Sequence, residues 1–167
     1  LQRIKNSLNN PNPNIWIGTF HGICHKLLRI NHAAANLDSE FQIIDTEDQK
    51  RIIKRIHKTM QLDEGRWPPK KTIFFINNLK EEGIRAKDAH TETDHKNEVL
   101  LQVYQTYENY CREHNIIDFT ELLLRCYEML ANNPEVLAHY HNRFSHIYID
   151  EFQDTNNLQY KWLKLLS

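Results

Sequence analysis

The chain has 167 residues, of which 40% are hydrophobic and 26% charged, and its formal net charge is −1. Those proportions are those of a folded globular protein: they exclude a disordered chain, the net charge announces no polyanion partner by itself, and no apolar run reaches the length of a membrane span. Three scattered cysteines, Cys24, Cys111 and Cys126, indicate no disulfide framework, and no apolar signal core opens the sequence, so the reducing cytoplasm is the expected compartment.

In chain order, Leu1 is not an initiator Met and Ser167 falls a few residues into an apolar helical pattern, which suggests an internal piece of a larger protein. Ile15, Trp16 and Ile17 read as a short strand, followed by a helix from about Phe20 to Asn31 with Thr19 as its N-cap. Thr46 with Gln49 has the spacing of a capping box, and Ile52, Ile53, Ile56 and Met60 then share one helical face. Eight basic residues (Lys50, Arg51, Lys54, Arg55, Lys58, Arg66, Lys70, Lys71) fall between positions 50 and 71 against only Asp63 and Glu64. A neutral chain can therefore carry a local basic surface, although a solvated helix face is the plainer reading of such a cluster.

Pro68 and Pro69 open a further helix carrying Ile73, Phe74, Ile76 and Leu79, with Gly83 as its stop. Val99, Leu100, Val103, Tyr104, Tyr107, Tyr110 and Cys111 define a long amphipathic helix. Asp118 with Glu121 can cap the next helix, and Asn133-Pro134 a short one after it. The apolar run at residues 146–150 reads as a second strand, and Asn156 with Gln159 as a final cap. The expected fold is mainly α. Two short strands separated by more than a hundred helical residues suggest an incomplete parallel sheet interrupted by a helical insertion.

The second strand ends in Asp150-Glu151-Phe152-Gln153-Asp154. Adjacent carboxylates at a strand terminus suit metal-dependent phosphoryl chemistry, one holding Mg²⁺ and the other polarising a water. The four fixed positions would arise by chance in roughly 1 in 1,000 chains of this length, which a polar turn before a capped helix does not explain. Thr19-Phe20-His21 opens a helix after a strand, where a hydroxyl, an imidazole and free backbone N–H groups can bind phosphate oxygens. His21, Cys24 and His25 share a helical face, but no second Cys/His pair completes a zinc set, and Cys24 lacks an orienting partner for a nucleophile. Asp118-Phe119-Thr120-Glu121-Leu122 by itself is only a capped helix start.

Taken together and in this order, the three clusters resemble motifs of superfamily one DNA helicases of the UvrD/PcrA/Rep type. Thr19-Phe20-His21 is similar to the family's DNA-contacting Thr-Phe-His, Asp118-Phe119-x-Glu121-Leu122 to its Asp-Phe-x-Asp/Glu-Leu, and Asp150 to Thr155 to its Walker B sequence. The likeness extends through residues 41–45 and Trp67-Pro68-Pro69. It implies that residues 1–29 and 116–167 are parts of a RecA-like motor domain and that residues 30–115 are a helical subdomain inserted into it. It also implies that Asp150 helps hold Mg²⁺, that Glu151 activates the water attacking ATP, and that Thr19, Phe20 and His21 lie along single-stranded DNA. Asp118, Phe119, Gln153 and Asp154 would couple the two activities. Repair proteins are the partners implied for the intact enzyme, with Mg²⁺ and ATP as its cofactor and substrate, neither expected to stay tightly bound to this chain.

Lys50, Lys54 and Arg55 on the basic face become candidate contacts to phosphates near a duplex junction, because such contacts need only clustered positive charge. No Gly-x-x-x-x-Gly-Lys-Ser/Thr loop occurs in the chain, so it is expected to be inactive alone. A non-enzymatic helical domain that binds nucleic acid or docks a protein is the alternative, with a zinc-dependent module as a third reading.

Overall fold

The computed structural model describes residues 15–89 and 95–167. Helix α1, Phe20–Ile30, starts at Thr19, whose side-chain oxygen accepts the Gly22 N–H, and buries Cys24, Leu27 and Leu28 at the i, i+3, i+4 spacing of one face. It ends at Asn31, whose amide donates to the Leu27 carbonyl and to the Tyr140 hydroxyl. Strands β1, Gln42–Ile43, and β2, Ile116–Ile117, form a two-residue parallel pair with Gln42 opposite Ile116.

Helix α2, Thr46–Thr59, is capped one residue earlier than its sequence suggests. Asp45, not Thr46, accepts the N–H of Asp48. Asp caps as well as Thr or better, and the shift frees Gln49 from a capping box so that its side chain turns inward. Helix α3, Pro69–Glu81, begins with Pro at N1, where no N–H is needed, and closes at Gly83, whose φ is +81°. The Gly83 N–H bonds the Lys80 carbonyl and the Ile84 N–H bonds the Leu79 carbonyl, a Schellman closure that turns the chain just before Arg85, whose guanidinium reaches Glu108, Glu121 and Glu128. Helix α4, His95–Glu113, α5, Phe119–Asn132, α6, Pro134–Arg143, and α7, Asn157–Leu166, complete the helices. The Asn156–Gln159 capping box forms as the sequence suggests, and Asp118 accepts the Glu121 N–H at the start of α5.

Two cores result. The first joins α1, α5, α6 and α7 through Leu27, Leu122, Cys126, Tyr140, Leu158 and Trp162, and it also draws in Ala35 and Phe41. The second joins α2, α3 and α4 through Ile53, Ile56, Ile73, Ile76, Val103, Tyr104 and Tyr107. Each fully buried aliphatic or aromatic side chain contributes roughly 1.5–3 kcal/mol of transfer free energy.

Neither expected strand is present: residues 15–17 and 146–150 are extended or bent but form no ladder. A strand needs a neighbour to take up its N–H and C=O groups, and among the described residues none runs beside either segment. Trp16 instead packs edge-on against Tyr140 and Phe144, while Tyr148 stands 91% exposed. The strands that do form pair segments the hydrophobic pattern leaves as loops.

Candidate nucleic-acid and nucleotide site

Packing of α1 on α5 brings together two motifs about a hundred residues apart. The His21 ring lies over Phe119 at 4.7 Å between centroids, tilted by 33°. Phe119 is 60% exposed, so the pair presents an open aromatic face. Burial lowers the His21 pKa below its ordinary 6.5, leaving a neutral imidazole at pH 7. The Thr19 oxygen accepts the Gly22 N–H, while its O–H remains a donor pointing from an exposed position. Phe20 turns the other way and packs edge-on against Trp162, joining the first core.

Behind Phe119 lies a buried ionic cluster that motif spacing does not reveal. Lys80, 2% exposed, places its Nζ 2.6 Å from Asp118 Oδ2 and 2.9 Å from Glu121 Oε2. The same Asp118 Oδ2 accepts the Tyr107 hydroxyl at 2.8 Å and the Gln49 amide at 3.4 Å. Arg85 forks onto Glu121 and again onto Glu128, and also reaches Glu108 at 2.9 Å; Arg125 closes on Glu121 at 2.8 Å. Three cations thus face four carboxylates. Burial by itself would lower the Lys80 pKa, but Asp118 and Glu121 outweigh it and hold the ammonium charged. Burial likewise opposes ionisation of Glu121, and Lys80, Arg85 and Arg125 outweigh it, holding the carboxyl well below its usual range. A signal existed in the sequence: Lys80 continues the buried stripe of Ile73 and Ile76, where a charge can persist only if paired.

Asp150 and Glu151 are both exposed, and Asp150 Oδ1 accepts the Glu151 N–H at 3.0 Å. Glu151 has a φ of 50°, a left-handed conformation that favours Gly. Gln153 and Asp154 lie in the exposed 3-10 turn Phe152–Asp154 that follows. Beside them runs an open apolar groove lined by Ile147, Ile149, Phe152, Tyr160 and Leu163. Among the described residues no hydrogen bond, ion pair or ring contact links the acidic turn to the His21–Phe119 face, and no three His, Cys, Asp or Glu side chains gather as a metal site. Two exposed neighbouring carboxylates fit the narrower demand of Mg²⁺, which commonly takes one or two carboxylates and completes its shell with water and substrate phosphates.

The zinc reading loses its geometry. Cys24 is fully buried, its thiol pushed well up by burial and by Cys126, while His25 bonds Arg29 and His21 stacks on Phe119. On the basic face, Lys50 pairs with Glu47 at 3.6 Å and Lys54 with Glu64 at 3.8 Å. Arg55, Lys58, Lys70 and Lys71 enter no ion pair among the described residues, and Phe74 beside the last two is 68% exposed.

Residues 1–167 match the description UvrD/REP helicase N-terminal domain. The chain belongs to this family. It is 47% identical over 153 residues to DNA helicase II of Escherichia coli (strain K12), and equally so to that of Salmonella typhimurium. It is 36% identical over 154 residues to the ATP-dependent DNA helicase PcrA of Staphylococcus aureus. In each case the match covers 92% of this chain and 21% of the relative, so the chain spans about a fifth of the length of these UvrD-type proteins. No helix among the described residues is long and apolar enough to cross a membrane.

Proposed function

We propose that this chain supplies the single-strand-facing surface and the Walker B carboxylates of an ATP-dependent DNA helicase that moves three-prime to five-prime in DNA repair in the cytoplasm. The observation that carries the DNA part of the reading is the His21–Phe119 face: a half-buried neutral imidazole holds an exposed phenyl ring, which suits stacking on an unpaired base. The Thr19 hydroxyl beside it can donate to a phosphate oxygen.

On this reading Asp150 would hold Mg²⁺ through its exposed carboxylate, and the ion would supply charge neutralisation at the ATP phosphates. Glu151 orients the attacking water and takes its proton, while Gln153, Asp154, Asp118 and Phe119 relay between nucleotide and DNA. The two separate cores support a division into a motor-domain part, residues 1–29 and 116–167, and a helical insertion. Because Ala35 and Phe41 pack in the first core, we place the start of the insertion nearer Asp45 than residue 30. No phosphate-cradling Gly-x-x-x-x-Gly-Lys-Ser/Thr loop lies in these 167 residues, so the chain alone should not hydrolyse ATP.

Of the basic face, Arg55 is better placed to meet duplex phosphates than Lys50 or Lys54, which are engaged by Glu47 and Glu64. In the full-length protein, Phe119→Ala should weaken oligothymidylate binding about tenfold, since a base–aromatic stack contributes roughly 1–3 kcal/mol. Wild-type affinity in that variant would remove the face from the DNA track.

A further inference from the structure

We infer that Lys80 is a positioning residue: through its buried contacts to Asp118 and Glu121, the α2–α4 helical unit sets the direction in which Phe119 faces a DNA strand. The inference rests on the DNA reading of the His21–Phe119 face given above.

Asp118 has two jobs, one for each oxygen. Oδ1 accepts the Glu121 N–H and so starts α5, fixing the backbone at the residue immediately before Phe119. Oδ2 accepts from Lys80 on α3, Tyr107 on α4 and Gln49 on α2, one donor from each helix of the second core. The carboxylate that launches Phe119 toward solvent is therefore held from behind by three helices of another packing unit. Lys80 is the one charged group among those three donors, and it also reaches Glu121 one turn into α5. Its contacts thus fix both the start and the rotation of that helix.

Stability alone accounts poorly for such an ammonium. A buried ion pair is often no more stabilising than apolar side chains of the same volume, and its best-attested use is to select one register. Met at position 80 would continue the stripe of Ile73 and Ile76, yet it would take from Asp118 the cation it pairs with and from Glu121 one of its three. The cap could then rotate, and Phe119 with it, while the first core, built from Leu122, Cys126 and Met129 on the other side of α5, stayed packed. His21 would lose its stacking partner without itself being altered.

The test uses the full-length protein, with fluorescein-labelled oligothymidylate, a nucleotide analogue measured without DNA, and DNA-stimulated ATP turnover. Lys80→Met should weaken oligothymidylate binding about tenfold, and raise the DNA concentration that half-saturates ATP turnover to match, while nucleotide affinity measured without DNA stays near wild type, within the range of coupling through a packed network. Lys80→Arg should recover most of the loss, and Lys80→Met combined with Phe119→Ala should bind no more weakly than Phe119→Ala alone. Tyr107→Phe, which removes only one donor to Asp118, should shift DNA affinity in the same direction and serves if Lys80→Met does not fold. Loss of thermal stability with unchanged DNA affinity, or fully additive losses in the double variant, would overturn the inference. If Phe119→Ala itself binds like wild type, the DNA reading falls and the inference with it; if only the Lys80 and Tyr107 variants bind normally, the inference alone falls.

Discussion

Replacing Asp118 separates the two contributions of its carboxylate. Asn at this position has nearly the same volume and caps helices as well as Asp, so Asp118→Asn should keep the Glu121 N–H satisfied. It cannot keep the charge, and one amide N–H set would face the Lys80 ammonium and the Tyr107 hydroxyl, both donors. Breaking a buried pair by neutralising one member costs about 3–5 kcal/mol. Lys80 retains Glu121 at 2.9 Å, so the lower end, about 3 kcal/mol, applies. Asp118→Ala adds the lost cap, about 1 kcal/mol, and reaches about 4 kcal/mol. Against a typical total of about 5–15 kcal/mol, either loss is large. Urea titration followed by circular dichroism reads it directly: with a slope near 2 kcal/mol per molar, Asp118→Asn moves the midpoint down by about 1.5 M and Asp118→Ala by about 2 M. An Asp118→Asn midpoint indistinguishable from wild type would mean that the buried charge contributes nothing beyond the cap.

Acid should destabilise the fold in two windows. His21, His25 and His57 all have pKa values lowered from 6.5, chiefly by burial, so the unfolded chain binds more protons below pH 6.5 and stability falls as pH drops through that region. His57 is the sharpest case, since its buried Nδ1 has no partner; His57→Phe should flatten this part of a melting-temperature profile measured against pH. Glu121 acts below its ordinary 4.5: its depressed carboxyl gives stability that is whole above that value and drains away as pH falls further, a loss that Glu121→Gln should abolish. Gly83→Ala forces a side chain into φ +81° and should cost about 1 kcal/mol, a drop of about 2–4 °C in Tm by calorimetry.

How much could be read from residues alone depended on whether the deciding interaction was local. Helices whose caps and apolar stripes lie within a few residues of each other were legible: Thr19, Asp118, Asn156 and Gly83 mark ends that the structure places where the spacing indicates. The Thr46 cap was displaced to Asp45 because two adjacent residues both satisfy the same local rule, and the buried use of Gln49 by Asn77 and Asp118 goes with the other choice. Strands at residues 15–17 and 146–150 were expected from short apolar runs, but a strand is a pairwise object, and the pairing that exists is between Gln42–Ile43 and Ile116–Ile117, too short to leave a periodic trace. The ionic cluster was hidden for the same reason. Lys80, Arg85 and Glu121 look like solvated charges until helices from distant parts of the chain are brought together, and only the place of Lys80 on an apolar stripe hinted otherwise. The convergence of His21 and Phe119 was likewise invisible as geometry, although the two motifs were each visible as sequence.

The proposed role of Glu151 is to activate the water that attacks ATP in the full-length protein. Steady-state ATP hydrolysis by the full-length Glu151→Gln protein, measured beside its nucleotide affinity, tests it most directly. Retained nucleotide binding with turnover reduced about 100-fold or more is expected, the scale of losing a general base. Near-normal DNA-stimulated turnover in that variant would contradict it.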